Sequence, residues 1–295
     1  MKSNRSNLLC LLAALAAVVL PATSAWADKS IEKVDALASR LPQPLLASGE
    51  LRIAVPDIGK PLAYKEGGVL KGMDVDLAKA VAATLGLKAN ISLIPFSAAL
   101  TGLQANKYDI SYGEFYVTAE RLQVADFVTD WQDYSTFLVK KGRPFQPKAL
   151  AEICGHKVGA MAGSAELATL KSSSVKCAGK PPVVSAFPSI NNAVLALDSG
   201  RIEGVLINRG GAQASIHLDA ALDASGEIGG GPTAIAVARN ANSDQLLPAL
   251  KGAYDHLIQQ GGYADILARN DTAYGAAKSA VIYQAGSTPP PRYSF

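Results

Sequence analysis

The chain has 295 residues, with 28 lysines and arginines against 25 aspartates and glutamates and a formal charge of +3. That balance excludes a basic nucleic-acid surface, and no run of like charge points to a membrane face. The cysteines and the scattered His156, His217 and His256 lack metal-ligand spacing, so neither a metal nor a cofactor is expected.

In chain order, Lys2 and Arg5 precede an apolar run over 8–20, Pro21 breaks it, and Ala25-Trp26-Ala27 has the small-x-small pattern of a signal-peptidase site. The run is short for a membrane span, and Cys10 follows Leu9 rather than the small residue a lipoprotein site needs. The expectation is a cleaved signal peptide over 1–27 and a soluble, exported, periplasmic chain from Asp28. Cleavage removes two bases and no acid, taking the charge from +3 to +1. It leaves Cys154 and Cys177, which in an oxidising compartment most simply form one disulfide. The remainder is long enough for one large or two medium domains.

Short apolar runs then alternate with amphipathic ones, the pattern of an α/β protein. Residues 51–55 read as a strand, and 74–85 as a helix with Leu77, Val81 and Leu85 on one face and Gly86 as its stop. A strand over 91–94 and a helix over 97–106 follow. Residues 109–112 read as a strand with 113–117 as its exit loop, Thr118 as the N-cap of a short helix, and a further strand within 135–140. The polar turn 140–144 marks a break. Beyond it, 148–153 is helical, 157–161 is a strand, Ser164 opens a helix, and 183–185, 189–197 and 205–207 read as strand, helix and strand. The glycine-rich stretch 225–232 suits a second crossing between units. A strand over 233–238 and helices over 243–259 and 263–268 complete the pattern, and the proline-rich 286–295 reads as a mobile tail.

The stretch 109–127, D-I-S-Y-G-E-F-Y-V-T-A-E-R-L-Q-V-A-D-F, carries the chemistry. Arg121 falls one turn into the helix begun at Thr118. Its planar fork suits a carboxylate held by two hydrogen bonds, and free N–H groups at a helix start favour anions. The implied action is capture of a small acid without a covalent step.

The ordered motifs G-E-L-R-I-A-V (49–55), K-G-M-D-V-D-L-A-K-A (71–80), T-x-E-R with D-F inside 109–127, and K-V-G-A-M-A-G-S (157–164) run on into L-D-S-G-R-I-E-G-V (197–205), A-I-A-V (234–237) and G-G-Y-A-D-I-L (261–267). Together they resemble the solute-binding proteins of ABC importers, the polar amino-acid type with a type II periplasmic binding fold. The resemblance implies two three-layer α/β/α lobes joined by two crossing segments. The first lobe would be discontinuous over 28–140 and 230–285, the second would span 141–229, and 286–295 would be the tail. It further implies hinge closure on a small polar carboxylate-bearing solute, an amino acid or a relative. The implied protein is a monomer that works with ABC permease subunits and has no catalytic residue.

On this resemblance Arg121 holds the ligand's α-carboxylate; the competing assignment is a surface arginine paired to Glu120 or Asp126. Gly163 and Ser164 match a loop that offers backbone N–H groups and a hydroxyl to the same carboxylate, with Ser164 doubling as a helix cap. Ala165 stands where a serine or threonine is usual, and Asn208 where amino-acid binders carry an aspartate for the α-ammonium. Glu114 departs from the usual Gly or Ser; it supplies the charge absent at 208, receives a cationic group, or is a solvated loop acid. Tyr116 replaces a small hydroxyl residue. Leu62 holds the place of a covering aromatic, which leaves Phe115, Tyr64 and Trp131 as stacking faces or as core. Asp74 is assigned to helix capping and packing, and the Cys154–Cys177 pair to stability. Two other functions share the fold: a cyclohexadienyl-type dehydratase with Glu114 as general acid, and a cleft-altered accessory to a periplasmic dehydrogenase.

Overall fold

Helix α1 (Asp35–Ala38) and helix α2 (Gln43–Ser48) lead to Gly49, whose φ of +64° turns the chain into β1 (Glu50–Pro56). The computed structural model describes residues 31–293. A hairpin of β2 (Tyr64–Glu66) and β3 (Val69–Lys71) precedes α3 (Met73–Thr84), which buries Leu77 and Val81 against the sheet and stops at Gly86, φ +70°. Next come β4 (Lys88–Ile94), α4 (Ala99–Gln104), β5 (Ile110–Tyr116) and the 16-residue β6 (Ala125–Lys140). The second set is β7 (Lys157–Met161), α5 (Ala165–Ser174), β8 (Val183–Phe187), α6 (Ile190–Asp198), β9 (Gly204–Asn208) and α7 (Arg209–Leu218). The 17-residue β10 (Leu222–Ala238), α8 (Ser243–Gln260), α9 (Gly262–Arg269) and β11 (Ile282–Tyr283) finish the chain.

One nine-stranded sheet runs β4-β1-β5-β10-β6-β9-β7-β8, with β11 against β6. Strand β1 lies parallel to β4 and β5, and β7 lies parallel to β8 and β9. Between these parallel halves, β6 and β10 form a long antiparallel ribbon that belongs to both. The N-terminal part of β6 pairs with β11, and its C-terminal part, from Ser135 to Val139, pairs with β9. The ribbon changes register between Ser225 and Gly229 and again between Thr233 and Ala234. At Gly230 the strands approach so closely that a Cβ would stand 2.2 Å from the Asp133 carbonyl oxygen, so only glycine fits. The turn at 140–144 closes the far end of β6, and the strand changes partners earlier, between Thr129 and Ser135.

A large apolar cluster packs α3, α8 and α9 against the sheet, with Leu77, Val81, Leu250 and Tyr254 fully buried. A smaller cluster built on Phe137, Val158, Leu170 and Leu206 lies with the second half. Cys154 and Cys177 form a disulfide across 23 residues, tying the approach to β7 to the end of α5.

Four expectations change. Residues 113–116 are strand and not loop, because β10, more than a hundred residues away in sequence, pairs with Phe115 and Tyr116 and buries all of β5. The helix after Thr118 shrinks to one 3-10 turn, Arg121–Gln123, although the Thr118 hydroxyl does accept from the Arg121 N–H at 3.2 Å. Residues 148–153 likewise form only a 3-10 turn, Leu150–Ile153. The tail is docked rather than free, since Tyr293 is hydrogen-bonded at the junction of β5 and β10. Helix α7 escaped sequence reading, because Gly210 and Gly211 near its start disguise it. The signal-peptide expectation over 1–27 lies outside the described residues, among which no helix is long and apolar enough to cross a membrane.

Candidate ligand-binding site

A cavity of about 40 Å³ lies where the ribbon passes between the two half-sheets. From the first half it is walled by Ile58, Leu62, Phe96, Glu114, Tyr116 and Arg121; from the second by Ser164, Ala165, Glu166, Ile207 and Asn208, with Asp133 on the ribbon between them. A space of this size holds about one water molecule and no amino acid. A larger solute requires the halves to part.

Arg121 bridges the two sides. Its Nη1 donates to the Tyr116 carbonyl at 2.9 Å, its Nη2 donates to the Gly163 carbonyl at 3.2 Å, and its guanidinium carbon lies 5.3 Å from the Phe115 ring centroid. Burial lowers the Arg121 pKa, and the charge of Glu166 opposes that shift. A guanidinium is too strong a base to lose its proton near neutral pH, so the group stays cationic.

Carboxylates outnumber that cation. Glu114 sits on β5 at a φ of +47°, only 9% exposed, with Asp74 from α3 and Asp130 and Asp133 from β6 buried nearby. Among the described residues, no side-chain oxygen of Asp74, Glu114 or Asp130 has a hydrogen-bonded partner. Burial raises the Asp74 pKa to about 7, helped by the charges of Asp130 and Asp133. Burial also pushes Glu114 well above the usual carboxylate range, with Asp74 adding repulsion. Asp130 and Asp133 are raised by burial and then by Glu114. Asp133 is eased by the Tyr134 N–H, which donates to it at 2.8 Å, and by the Asn208 side chain. Glu166 accepts from the Ser135 hydroxyl at 3.0 Å. No group of three or more acidic, histidine or cysteine residues among those described has the geometry to hold a metal ion. The arrangement therefore suits an organic solute that brings its own positive charge to Glu114 and Asp133 and a carboxylate to Arg121.

Residues 51–270 match the model of the bacterial extracellular solute-binding proteins, family 3. The chain belongs to that family. A probable amino-acid-binding protein, YxeM of Bacillus subtilis, is 33% identical over 112 residues, which is 38% of this chain and 42% of that protein. The match thus spans under half of that relative's length. The arginine-binding protein ArgT of Corynebacterium glutamicum is 24% identical over 270 residues, 87% of this chain and 86% of its own. An ancestral arginine-binding protein, solved with arginine bound, superposes with a TM-score of 0.70 at 29% identity over 75% of this chain and 98% of its own. The type II periplasmic binding fold expected from the sequence is the fold of such neighbours.

In this family 3 protein the residues singled out by sequence divide into two groups. Arg121, Glu114, Tyr116, Ser164, Asn208 and Leu62 line one cavity. Asp126, an alternative partner of Arg121, instead accepts from Arg239 at 2.7 Å. Gly163 borders the site through its carbonyl, which accepts from Arg121, while the Ser164 N–H donates to Met161 O and the Ser164 hydroxyl accepts from Leu167 N at 3.1 Å. Ser164 is thus the cap of α5, and its N–H is engaged in a turn.

The other group lies elsewhere. Phe115 is core, packed 5.2 Å from Phe96, and reaches the site only beneath Arg121. Tyr64 stands on the β2–β3 hairpin under the Lys60 ammonium, outside the cavity lining. Trp131 is fully buried, with its indole N–H donating to the Thr272 carbonyl at 2.9 Å. The assignment of Asp74 to capping is corrected: Gly72 is the N-cap of α3, and the Asp74 carboxyl faces inward toward Glu114. Asp133 and Glu166 were missed. For Asp133 the signal was the spacing of acids at 126, 130 and 133 on a strand that β10 covers; Glu166 reads as an ordinary acid in the first turn of a helix.

Proposed function

We propose that this family 3 protein captures a small cationic amino acid outside the cytoplasm and delivers it to the membrane subunits of an ABC importer. One observation carries the reading: a single cavity sets Arg121 against Glu114, Asp133 and Glu166. An α-carboxylate satisfies the guanidinium, and a cationic side chain satisfies the Glu114 carboxyl, which has no hydrogen-bonded partner, and its acidic neighbours Asp133 and Glu166. Binding by family relatives named for arginine is in keeping with this chemistry. The ligand closes two lobes by contacting both, and the β6–β10 ribbon is the flexing element. The lobes drawn from the sequence, 28–140 with 230–285 and 141–229, share that ribbon. The pairing of residues 135–139 with β9 supports drawing the first limit a few residues earlier. The chain acts as an exported, periplasmic monomer.

Calorimetry with L-arginine, L-lysine, L-glutamine, L-glutamate and a simple diamine tests the reading. Tightest binding is expected for L-arginine or L-lysine. Preferential binding of L-glutamate would overturn the charge argument, and equal binding of the diamine would remove the carboxylate role of Arg121. A second reading rests on Glu114, whose carboxyl burial pushes well above the usual carboxylate range beside an anion-binding arginine, the direction a general acid requires. Product formation from a cyclohexadienyl acid, followed by NMR, would favour that dehydratase activity over simple capture.

A further inference from the structure

The family match ends at residue 270, yet the chain beyond it returns to the site. Strand β11 pairs Ile282 and Tyr283 with Val128 and Phe127 of β6, and the proline-rich segment then carries Tyr293 to the junction of β5 and β10. There the Tyr293 hydroxyl accepts from the Val117 N–H at 2.7 Å and donates to the Pro232 carbonyl at 2.8 Å. The ladder between β5 and β10 ends one residue earlier on each strand, at Tyr116 opposite Thr233. Val117 and Pro232 stand one residue beyond that end. There the phenol hydroxyl, both donor and acceptor, is inserted between the N–H of the one and the carbonyl of the other.

The same side chain touches the binding residues. Its ring meets Tyr116 edge-on, with centroids 4.7 Å apart and planes at 73°. It lines an outer groove together with Arg121, Gly163 and Ser164. The Tyr116 carbonyl is in turn the acceptor for Arg121 Nη1. Val117 is fully buried, so without the phenol its N–H would lose its hydrogen bond away from water.

We propose that Tyr293 is a positioning residue of the binding site, through which the C-terminal segment clamps β5 to β10 and fixes Tyr116 and the Arg121 guanidinium that depends on it. The consequence for affinity rests on the function proposed above; the clamp itself does not. The tests are Tyr293→Phe, which keeps the ring and removes both hydrogen bonds, and deletion of 286–295 as a second variant. Three readouts are compared with the full chain: exchange of the Val117 amide, the side-chain nitrogen resonances of Arg121, and the Kd for L-arginine. In Tyr293→Phe, Val117 exchange is expected to accelerate, the Arg121 resonances to broaden, and the Kd to weaken by about tenfold, the scale of one or two lost hydrogen bonds. A rapidly exchanging Val117 amide in the full chain would overturn the clamp. Faster exchange with unchanged Arg121 resonances and Kd would reduce Tyr293 to a structural contact and overturn its positioning role. If the full chain binds no L-arginine, the ligand assignment fails, and unchanged Arg121 resonances in Tyr293→Phe would by themselves overturn the proposal.

Discussion

Arg121 Nη2 and the carbonyl oxygen of Gly163, 3.2 Å apart, join the turn after β5 to the loop that enters α5. The bond crosses from one half of the sheet to the other, so the arginine proposed to grip a ligand also ties the two halves together. A ligand carboxylate competes for the same fork and gains charge-assisted bonds in place of a neutral carbonyl. Arg121→Ala should therefore abolish most binding, weakening the Kd on the order of 100-fold from one or two charge-assisted bonds. Arg121→Lys should fall between, because an ammonium keeps the charge and loses the fork. Calorimetric titration with L-arginine measures both. An Arg121→Ala variant with native affinity would show that the carboxylate is held elsewhere.

The buried acids predict a stability profile that peaks at acid pH. Asp74 titrates in the folded state at about 7, against a reference of 3.8, and Glu114 is shifted in the same direction by burial and by Asp74. A group whose folded pKa is raised contributes stability that is fully present below its unfolded pKa and is lost as pH rises through the folded value. Unliganded protein should thus lose stability between about pH 4 and pH 7, on the order of 2–4 kcal/mol for a shift of this kind. Asp74→Asn removes one titrating partner, so it should flatten the slope and raise the urea midpoint at about pH 8. A cationic ligand favours the ionised acids, so its binding should strengthen as pH rises through about 7 and release a proton. Calorimetry in buffers of different ionisation enthalpy detects that proton. Affinity for L-arginine that does not change between about pH 5 and pH 8 would rule out coupling to these acids.

Much of this organisation was legible locally. The cap Ser164, the stop at Gly86 and the alternation of strand and helix are short-range signals, and each appears where its residue type dictates. The acid cluster was not legible, because Asp74, Glu114, Asp130 and Asp133 come from three elements that meet only when the sheet assembles. Sequence alone also made 113–117 a loop, the exit of a strand read as ending at Tyr112, and only the distant β10 extends that strand through Tyr116. Tyr293 was hidden for the same reason: a proline-rich tail reads as solvent-exposed until its tyrosine finds a donor and an acceptor.

The disulfide should act on stability and leave the site alone. Cys154 and Cys177 close a loop with a sequence separation of 23, at the far side of α5 from the cavity lining. Loop-closure entropy assigns such a bridge about 3 kcal/mol. The double variant Cys154→Ala and Cys177→Ala should lower the urea midpoint accordingly, with ligand affinity within about twofold of the parent once folded. A large loss of affinity in protein that remains folded would mean that the bridge positions the Gly163–Ser164 loop through α5.

Asn208 gives the sharpest test of how charge is distributed in the site. An aspartate at this position is the substitution the sequence resemblance invites, to hold a ligand ammonium. In the folded chain Asn208 already eases Asp133, which burial and Glu114 hold well above its ordinary pKa. Asn208→Asp would exchange that favourable contact for a second acid beside a strained one, in a cavity that also contains Glu114 and Glu166. The added carboxyl should therefore take up a proton near neutral pH, lowering thermal stability and giving no gain in affinity for L-arginine. Relocating the charge is different. The double variant Asp133→Asn with Asn208→Asp keeps the number of acids constant and should melt close to the parent while recovering most of the binding lost in Asp133→Asn alone. Thermal melts and calorimetry on the three variants decide the matter, and tighter binding in Asn208→Asp would mean that Asp133 does not serve the ligand's cation.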